Sequence, residues 1–152
     1  MSDQGTPEVT FVIPVFNEPD SIEATLRALD EHVDAEHVVL VVYDFDEDTT
    51  VPVVQALQPE LPTVRLLRND IGRGVLNAMK AGIAVADSPY VVITMADGSD
   101  DYTSLAPMLA LARDGAEVVA ASRYMKGGKQ IGGPPLKRLM SRAAGLSLHY
   151  LG

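Results

Sequence analysis

The sequence predicts an α/β domain built on a mostly parallel sheet. Short apolar, β-branched runs alternate along the chain with stretches whose apolar residues recur at helical spacing, the pattern of βαβ units. The strand runs are almost continuously apolar, which is typical of strands covered on both faces. With 152 residues, 47% of them hydrophobic, we expect a single domain with a sizeable core.

Five strands are predicted, and a helix follows each of the first four. The strands are expected at residues 9–15, 38–42, 64–67, 90–94 and 118–121. The helices are predicted from apolar residues three or four positions apart: Ile22, Leu26, Leu29 and Val33; Val51, Val54 and Leu57; Val75, Met79 and Ile83; and Leu105, Met108, Leu109 and Ala112. Residues 122–135 hold four Gly and two Pro and are predicted to be irregular, and residues 136–151 give a last helical pattern.

Composition excludes several classes of function. A net charge of −9 repels phosphate backbones, so no nucleic acid partner is expected. The absence of Cys excludes thiolate catalysis, disulfides and zinc–thiolate sites, and the three His show no ligand spacing. No apolar run approaches the ~20 residues of a membrane span, and the polar, acidic first residues do not form a signal peptide. We therefore expect a cytoplasmic protein.

The fourth strand leads into the most informative loop, the sequence YVVITMADGSDD at residues 90–101. Asp97, Asp100, Asp101 and the Ser99 hydroxyl follow the strand directly, at the sheet edge where α/β proteins bind ligands. Clustered carboxylates repel one another unless a positive group lies among them, and a hard divalent cation is the simplest candidate. A solvated acidic turn explains the spacing equally well.

Two further acidic loops are predicted at the same edge. Asn17 and Glu18 follow the first strand, and residues 44–48 follow the second. Since parallel strands end at a common edge, these loops should converge with residues 97–101. Together with Arg123, just past the fifth strand, they indicate a site for a metal and a phosphorylated ligand.

Two other interpretations fit less well. The turn around Gly72 and Gly74 resembles a dinucleotide-binding motif, but Asn77 replaces its third glycine and it follows the third strand rather than the first. The glycines more simply permit a tight turn, and Gly82 allows close helix packing. A response-regulator-like domain also binds Mg²⁺ at an acidic edge, but needs a lysine after its fifth strand, and the lysines there lie in a Gly-rich loop.

Six segments, in order, resemble family 2 glycosyltransferases. VIPVFNE at residues 12–18 resembles the opening motif of that family, residues 42–50 its nucleotide-binding loop, residues 69–82 its Gly-containing segment, and residues 94–101 the position of its aspartate-x-aspartate motif. SRYMKGG at residues 122–128, with the later Arg138, Ser141 and Arg142, is similar to the dolichyl- or polyprenyl-phosphate mannosyltransferase branch. The resemblance extends from residue 9 to about residue 151.

This resemblance implies the GT-A fold, a three-layer α/β/α sandwich. It implies a nucleotide-diphosphate sugar donor, GDP-mannose or a UDP-sugar, bound with Mg²⁺ or Mn²⁺, and an acceptor such as polyprenyl or dolichyl phosphate. Asp97 and Ser99 fall on metal-ligand positions, Asp44 falls near the base, and Asp97 and Arg123 are the implied catalytic residues. The remaining nucleotide-binding positions, besides Arg123 at the phosphates, are Pro14, Phe16, Glu18, Val42 and Ala96.

The chain also departs from the family pattern. Met95 replaces the first aspartate of the metal motif, so Asp97 must act with Ser99, Asp100 or water, and Tyr43 and Phe45 replace Asp and Gly in the second loop. Family catalytic domains continue further, so we expect one donor-binding domain, truncated or naturally short. A nucleotide-sugar-binding pseudoenzyme or partner subunit is the alternative.

The helical pattern at residues 136–151 has two interpretations. It carries an apolar stripe and the basic cluster Lys137, Arg138, Arg142 and His149. It is either a core-packing helix or a helix near the cytoplasmic membrane face that meets a lipid phosphate. An exposed stripe also predicts homo-oligomers.

Overall fold

A computed structural model of the protein describes residues 6–122. The elements run in the order β1 (Val9–Pro14), α1 (Ile22–His32), β2 (His37–Tyr43), α2 (Thr50–Leu57), β3 (Val64–Arg68), α3 (Val75–Val85), β4 (Tyr90–Ile93), a 3₁₀ turn (Tyr102–Ser104) and α4 (Leu105–Arg113). The first four predicted strands and the four helices predicted to follow them are confirmed, with ends that differ by one or two residues.

The four strands are parallel and lie in the order β3-β2-β1-β4. Val12 on β1 pairs with Leu40 on β2 and with Ile93 on β4. The chain therefore winds from β1 outward through β2 to β3 and then crosses back to the other side of β1. This reversal makes the carboxyl ends of β1 and β4 a topological switch point, where open α/β sheets bind ligands.

Helices cover both faces of the sheet. On one face Phe11 and Ile13 pack with α1, α2 and α4, which contribute Ile22, Leu26, Leu29, Val54, Leu57, Leu105 and Leu109. On the other face Val12, Leu40 and Val42 pack against Ala78 and Ala81 of α3. Every residue of β1 is buried, which explains its continuously apolar sequence. The arrangement is the α/β/α sandwich that the resemblance implies.

Helix α3 approaches the sheet closely at Gly82. A Cβ on Gly82 would lie 2.8 Å from Val12 Cγ2 and closer still to Val12 Cγ1. Only glycine leaves room for this approach, so the predicted close packing of the helix is confirmed.

The buried face of α3 differs from the one its large apolar residues suggest. Val75 and Ile83 remain 52% and 50% exposed, whereas Ala78, Ala81 and Gly82 are buried. Small residues near Gly82 therefore make the contact with the sheet, while Val75, the first residue of the helix, and Ile83 stay largely outside it.

The prediction of a fifth strand at residues 118–121 is wrong. These residues form no strand, and Val118 is 86% exposed. Within residues 6–122 the sheet ends at β4, and residues 118–121 do not pair with its free edge. Arg123, the Gly-rich loop and the helix predicted at residues 136–151 lie outside the described residues. In the part of the chain that the structure covers, no helix is long and apolar enough to cross a membrane.

Candidate functional site

The three acidic loops meet at one edge of the sheet, as predicted from parallel strands. The loop after β1 is tied to the loop after β2, because the backbone N–H of Glu18 donates to Thr50 Oγ1 over 2.9 Å. The loop after β4 is tied to α1, because the buried Thr25 hydroxyl donates to the Ala96 carbonyl over 3.0 Å. The edge is therefore held by hydrogen bonds between loops.

Pro14 and Val42 form the floor of this edge. Both are buried at the ends of the central strands, and the backbone N–H of Val15 donates to the Val42 carbonyl over 2.9 Å. The buried Ala96 closes the same floor at the end of β4. The side chains of these three predicted residues are turned away from solvent. They therefore shape the edge, and direct contact with a ligand is left to neighbouring residues.

Phe16 and Glu18 stand at the rim and flank Asn17. Phe16 is 65% exposed, and its ring meets Phe45 edge to face with the centroids 5.6 Å apart. The guanidinium of Arg73 lies over the Phe45 ring, 5.2 Å from its centroid. Sequence reasoning missed Phe45 and Arg73 as rim residues, although Phe45 in place of the family glycine was a signal.

The Asp44 carboxylate connects the end of β2 to the loop before α3. It accepts a hydrogen bond of 2.7 Å from the Asn69 side-chain amide and another of 2.7 Å from the backbone N–H of Gly74. Asn69 also donates to the Gly72 carbonyl over 2.6 Å. Asp44 is only half-buried, so the carboxylate holds the loop and still has lone pairs that these two hydrogen bonds do not use.

The loop after β4 brings the carboxylate of Asp97 next to the hydroxyl of Ser99. The Asp97 side chain is exposed, and its Oδ1 accepts the backbone N–H of Ser99 over 2.9 Å. Hydrogen bonds from the Ser99 hydroxyl and then from its backbone N–H lower the pKa of Asp97. The pair predicted as metal ligands therefore lies together, with the carboxyl held in its ionised form.

The other two carboxylates of this loop are engaged in its own folding. Asp100 Oδ2 accepts the Thr94 hydroxyl over 2.6 Å and the Met95 N–H over 3.2 Å. Asp101 accepts the Thr103 hydroxyl over 2.6 Å and caps the 3₁₀ turn through the Thr103 N–H. One oxygen of Asp100 is thus engaged at the end of β4, and the expectation that Asp100 assists Asp97 at a metal stays a prediction.

A hard divalent cation fits Asp97 and Ser99 in one particular way. Over residues 6–122 there is no group of three or more acidic or His side chains that could enclose a metal. Mg²⁺ and similar cations commonly take one or two carboxylates and complete their shell with phosphate oxygens and water. The ionised Asp97 and adjacent Ser99 oxygen suit a cation that arrives with a diphosphate, and do not suit a cage made by the protein alone.

Arginines reduce the negative charge of the edge unequally. Arg68 forms ion pairs with Asp46 at 3.1 Å and Asp70 at 3.3 Å, and all three side chains are exposed. Arg73 makes no ion pair with a carboxylate of the described range, so it contributes positive charge at the rim. Arg123, the predicted phosphate ligand, lies beyond residue 122.

A cavity of about 400 Å³ opens at the opposite edge of the sheet, near the ends of α1 and α4. Glu8 and Arg113 line it and pair at 2.6 Å, and His32 and Glu36 complete its polar wall. None of the predicted site residues lines this cavity. Strand direction and the loop contacts place the candidate site at the carboxyl edge instead.

The sheet order and the loops at its switch point define a ligand-binding α/β/α protein. Its fold matches a mannosyltransferase of Pyrobaculum calidifontis solved in complex with GDP-Man and Mn²⁺, with a TM-score of 0.59 and 28% identity over 70% of this chain and 32% of that one. It also matches the fold of glucosyl-3-phosphoglycerate synthase from Mycobacterium tuberculosis, with a TM-score of 0.57 and 18% identity over 73% of this chain and 41% of that one.

Residues 10–147 match the family model described as glycosyl transferase family 2, and the chain belongs to this family. A dolichol-phosphate mannosyltransferase of Pyrococcus furiosus is 27% identical over 90% of this chain and 39% of the relative. An undecaprenyl-phosphate mannosyltransferase of Micrococcus luteus is 33% identical over 91% of this chain and 57% of the relative. The chain thus spans about half the length of these two relatives.

Proposed function

We propose that this chain is the donor-binding part of a glycosyltransferase that moves a sugar from a nucleotide-diphosphate donor to a polyprenyl or dolichyl phosphate. The observation that carries the proposal is the exposed Asp97–Ser99 pair at the switch point, at the same edge of the sheet as the loops after β1 and β2. The relatives named for dolichol-phosphate and undecaprenyl-phosphate mannosyl transfer support the acceptor class. The neighbour solved with GDP-Man and Mn²⁺ supports GDP-mannose over a UDP-sugar.

Different residues at this edge are assigned to different parts of the donor. The Phe16 ring and the Glu18 carboxylate contact the nucleoside from the β1 side, and Asp44 accepts a hydrogen bond from the base on the β2 side. Asp97 and Ser99 would hold Mg²⁺ or Mn²⁺, and Arg123 would neutralise phosphate charge of the donor. Pro14, Val42 and Ala96 shape the floor beneath the nucleotide.

The proposed transfer does not require a strong general base from the protein. An oxygen of the acceptor phosphate attacks the anomeric carbon of the sugar, the bond from that carbon to the donor diphosphate breaks, and the configuration inverts. The acceptor oxygen is already anionic, so no proton has to be removed first. When bound, the cation stabilises the charge that develops on the departing diphosphate.

A lipid phosphate acceptor requires the protein to work at a membrane surface. We propose that it works at the cytoplasmic face, because the sequence at residues 136–151 carries the basic residues that anionic lipid phosphates attract. This association is peripheral and depends on charge, so it should weaken as salt increases.

A thermal-shift screen of GDP-mannose, UDP-glucose and the free diphosphates, with and without Mn²⁺, tests the donor proposal. We expect one nucleotide to raise the Tm, and Mn²⁺ to increase that shift. A radiolabelled-sugar assay with polyprenyl phosphate then tests transfer. A protein that binds none of these nucleotides would contradict the proposal.

One feature favours a second candidate, a nucleotide-sugar-binding partner subunit without turnover. Met95 stands where the family carries an aspartate, and its thioether is a poor ligand for a hard cation. Restoring the carboxylate with Met95→Asp distinguishes the candidates. Transfer that appears only in this variant would assign the parent chain to binding alone.

A further inference from the structure

We infer that Asn17 and Asp48 are positioning residues of the nucleotide site, and that together they fix the turn that presents Phe16 and Glu18 to the donor. The inference rests on the proposed donor binding. It assigns a role to two residues that neither touch the exposed metal pair nor form part of the floor.

Asp48 is a buried carboxylate satisfied entirely by neutral donors. It is 1% exposed, and it forms no ion pair within residues 6–122. The backbone N–H of Thr50 donates to it over 2.8 Å, and the backbone N–H of Asn17 lies 3.2 Å from each of its oxygens. Burial of a charge is costly unless such bonds replace water, and the start of α2 offers the favourable end of a helix dipole.

The side chain of Asn17, in the loop after β1, also forms hydrogen bonds with the loop after β2. Its Oδ1 accepts the backbone N–H of Thr49 over 3.1 Å and the Thr49 hydroxyl over 3.2 Å. Its backbone is left-handed, with φ 54°, and it is the one non-glycine residue with positive φ among residues 6–122. Such a conformation persists only where the surroundings determine it, and these bonds to Asp48 and Thr49 do so.

The turn at Asn17 sets the direction of its two neighbours. Phe16 is turned outward to the rim, where it remains 65% exposed beside Phe45, so packing in the core does not account for its position. The Glu18 N–H is bound to Thr50, and its carboxylate accepts the Ser21 hydroxyl over 3.1 Å. If Asn17 relaxed to negative φ, the ring and the carboxylate would no longer face the same ligand.

Three variants and one control separate positioning from simple stabilisation. Asn17→Gly keeps positive φ accessible but removes the side-chain acceptor, Asn17→Ala removes both, and Asp48→Asn keeps the shape but exchanges an acceptor for a donor. The matched control is Glu47→Gln, which replaces an exposed carboxylate on the same loop by a carboxamide. Dissociation constants for GDP and UDP with Mn²⁺ are measured by calorimetry at a temperature where circular dichroism shows every variant folded.

We expect Asn17→Ala and Asp48→Asn to weaken nucleotide binding about tenfold, the scale on which residues that support a ligand shell act. Asn17→Gly should lose less, because it can still adopt the turn, and Glu47→Gln should bind like the parent. If all three variants had a lowered Tm but bound nucleotide with the affinity of the parent, the inference would be overturned. Asn17 and Asp48 would then stabilise the fold without positioning the site. A parent chain that binds neither nucleotide would instead overturn the proposed function, and this inference with it.

Discussion

The Ser99 hydroxyl and, over 2.9 Å, the Ser99 backbone N–H donate hydrogen bonds to the Asp97 carboxylate and lower its pKa below the ordinary 3.8. The charged form is favoured because both donors bind it more strongly than the neutral acid. The carboxylate proposed to hold a metal therefore remains ionised to a lower pH than an ordinary aspartate. The serine has two proposed roles, as a neighbouring oxygen and as a donor that favours the charged form.

Replacing Ser99→Ala should raise the pKa of Asp97 towards its ordinary value. Because the pKa is lower in the folded state, the associated stability is present above 3.8 and is lost as the pH falls through the folded value. The carboxyl is almost fully exposed, so this contribution is small. Carbon-13 NMR titration of the aspartate carboxyls measures the shift directly.

A matched control lies four residues further along. The Thr103 hydroxyl and then its N–H lower the pKa of Asp101 in the same manner. Thr103→Ala should raise the pKa of Asp101 and leave that of Asp97 alone. If the two pKa values respond equally to both variants, the local hydrogen bonds are not their cause.

Asp97→Ala should remove the part of nucleotide binding that depends on Mn²⁺. Asp97 is the exposed carboxylate of its loop with no role in capping or in holding β4, so the fold should remain intact. Calorimetry with GDP-mannose, with and without Mn²⁺, measures the increment. Asp101→Ala is the control: it should lower the Tm through loss of the cap and retain the Mn²⁺ increment. An Mn²⁺ increment that survives Asp97→Ala would disprove the assignment.

Asp44→Ala should weaken nucleotide binding by ~1–3 kcal/mol, the scale of a lost hydrogen bond to a charged group. The same change frees the Asn69 amide and the Gly74 N–H, so hydrogen exchange at Gly74 should accelerate. Asp46→Ala removes an exposed carboxylate that pairs only with Arg68, and neither quantity should change. If hydrogen exchange at Gly74 accelerated while the affinity for nucleotide stayed unchanged, Asp44 would stabilise the loop without contacting the base.

The sequence predicted the convergence of the loops better than the hydrogen bonds that they form. Convergence of the loops followed from parallel strands alone, and residues 12–18 and 94–101 were found where expected. Periodicity could not indicate that Asp48 would be buried under Asn17, or that Asp100 would bind the Thr94 hydroxyl. Those contacts depend on which hydrogen-bond donor another segment places nearby. The spacing of residues within one loop does not indicate this.

The fold differs from the sequence pattern in two places. Apolar spacing predicted the helix α3, but it did not indicate that the small residues Ala78, Ala81 and Gly82 would be the buried ones. Residues 118–121 have strand-like composition, and composition alone does not supply a neighbouring strand.

Gly82→Ala should destabilise the protein although alanine is the better helix former. The added methyl would overlap the Val12 side chain, which belongs to the fully buried central strand and has little room to move. Overpacking of this kind costs typically ~1–3 kcal/mol, against a gain of about 1 kcal/mol from helix propensity. Urea unfolding followed by circular dichroism gives the change in the free energy of unfolding.

The double variant Val12→Ala with Gly82→Ala tests whether the overlap is the cause. Val12→Ala alone should be destabilising because it leaves a cavity, and the methyl at residue 82 should partly fill that cavity. The two changes should therefore be less harmful together than the sum of their separate effects, with a coupling of about 0.5–3 kcal/mol. Additive losses, or a Gly82→Ala protein as stable as the parent, would show that α3 can move away from the sheet and that its close approach is not required.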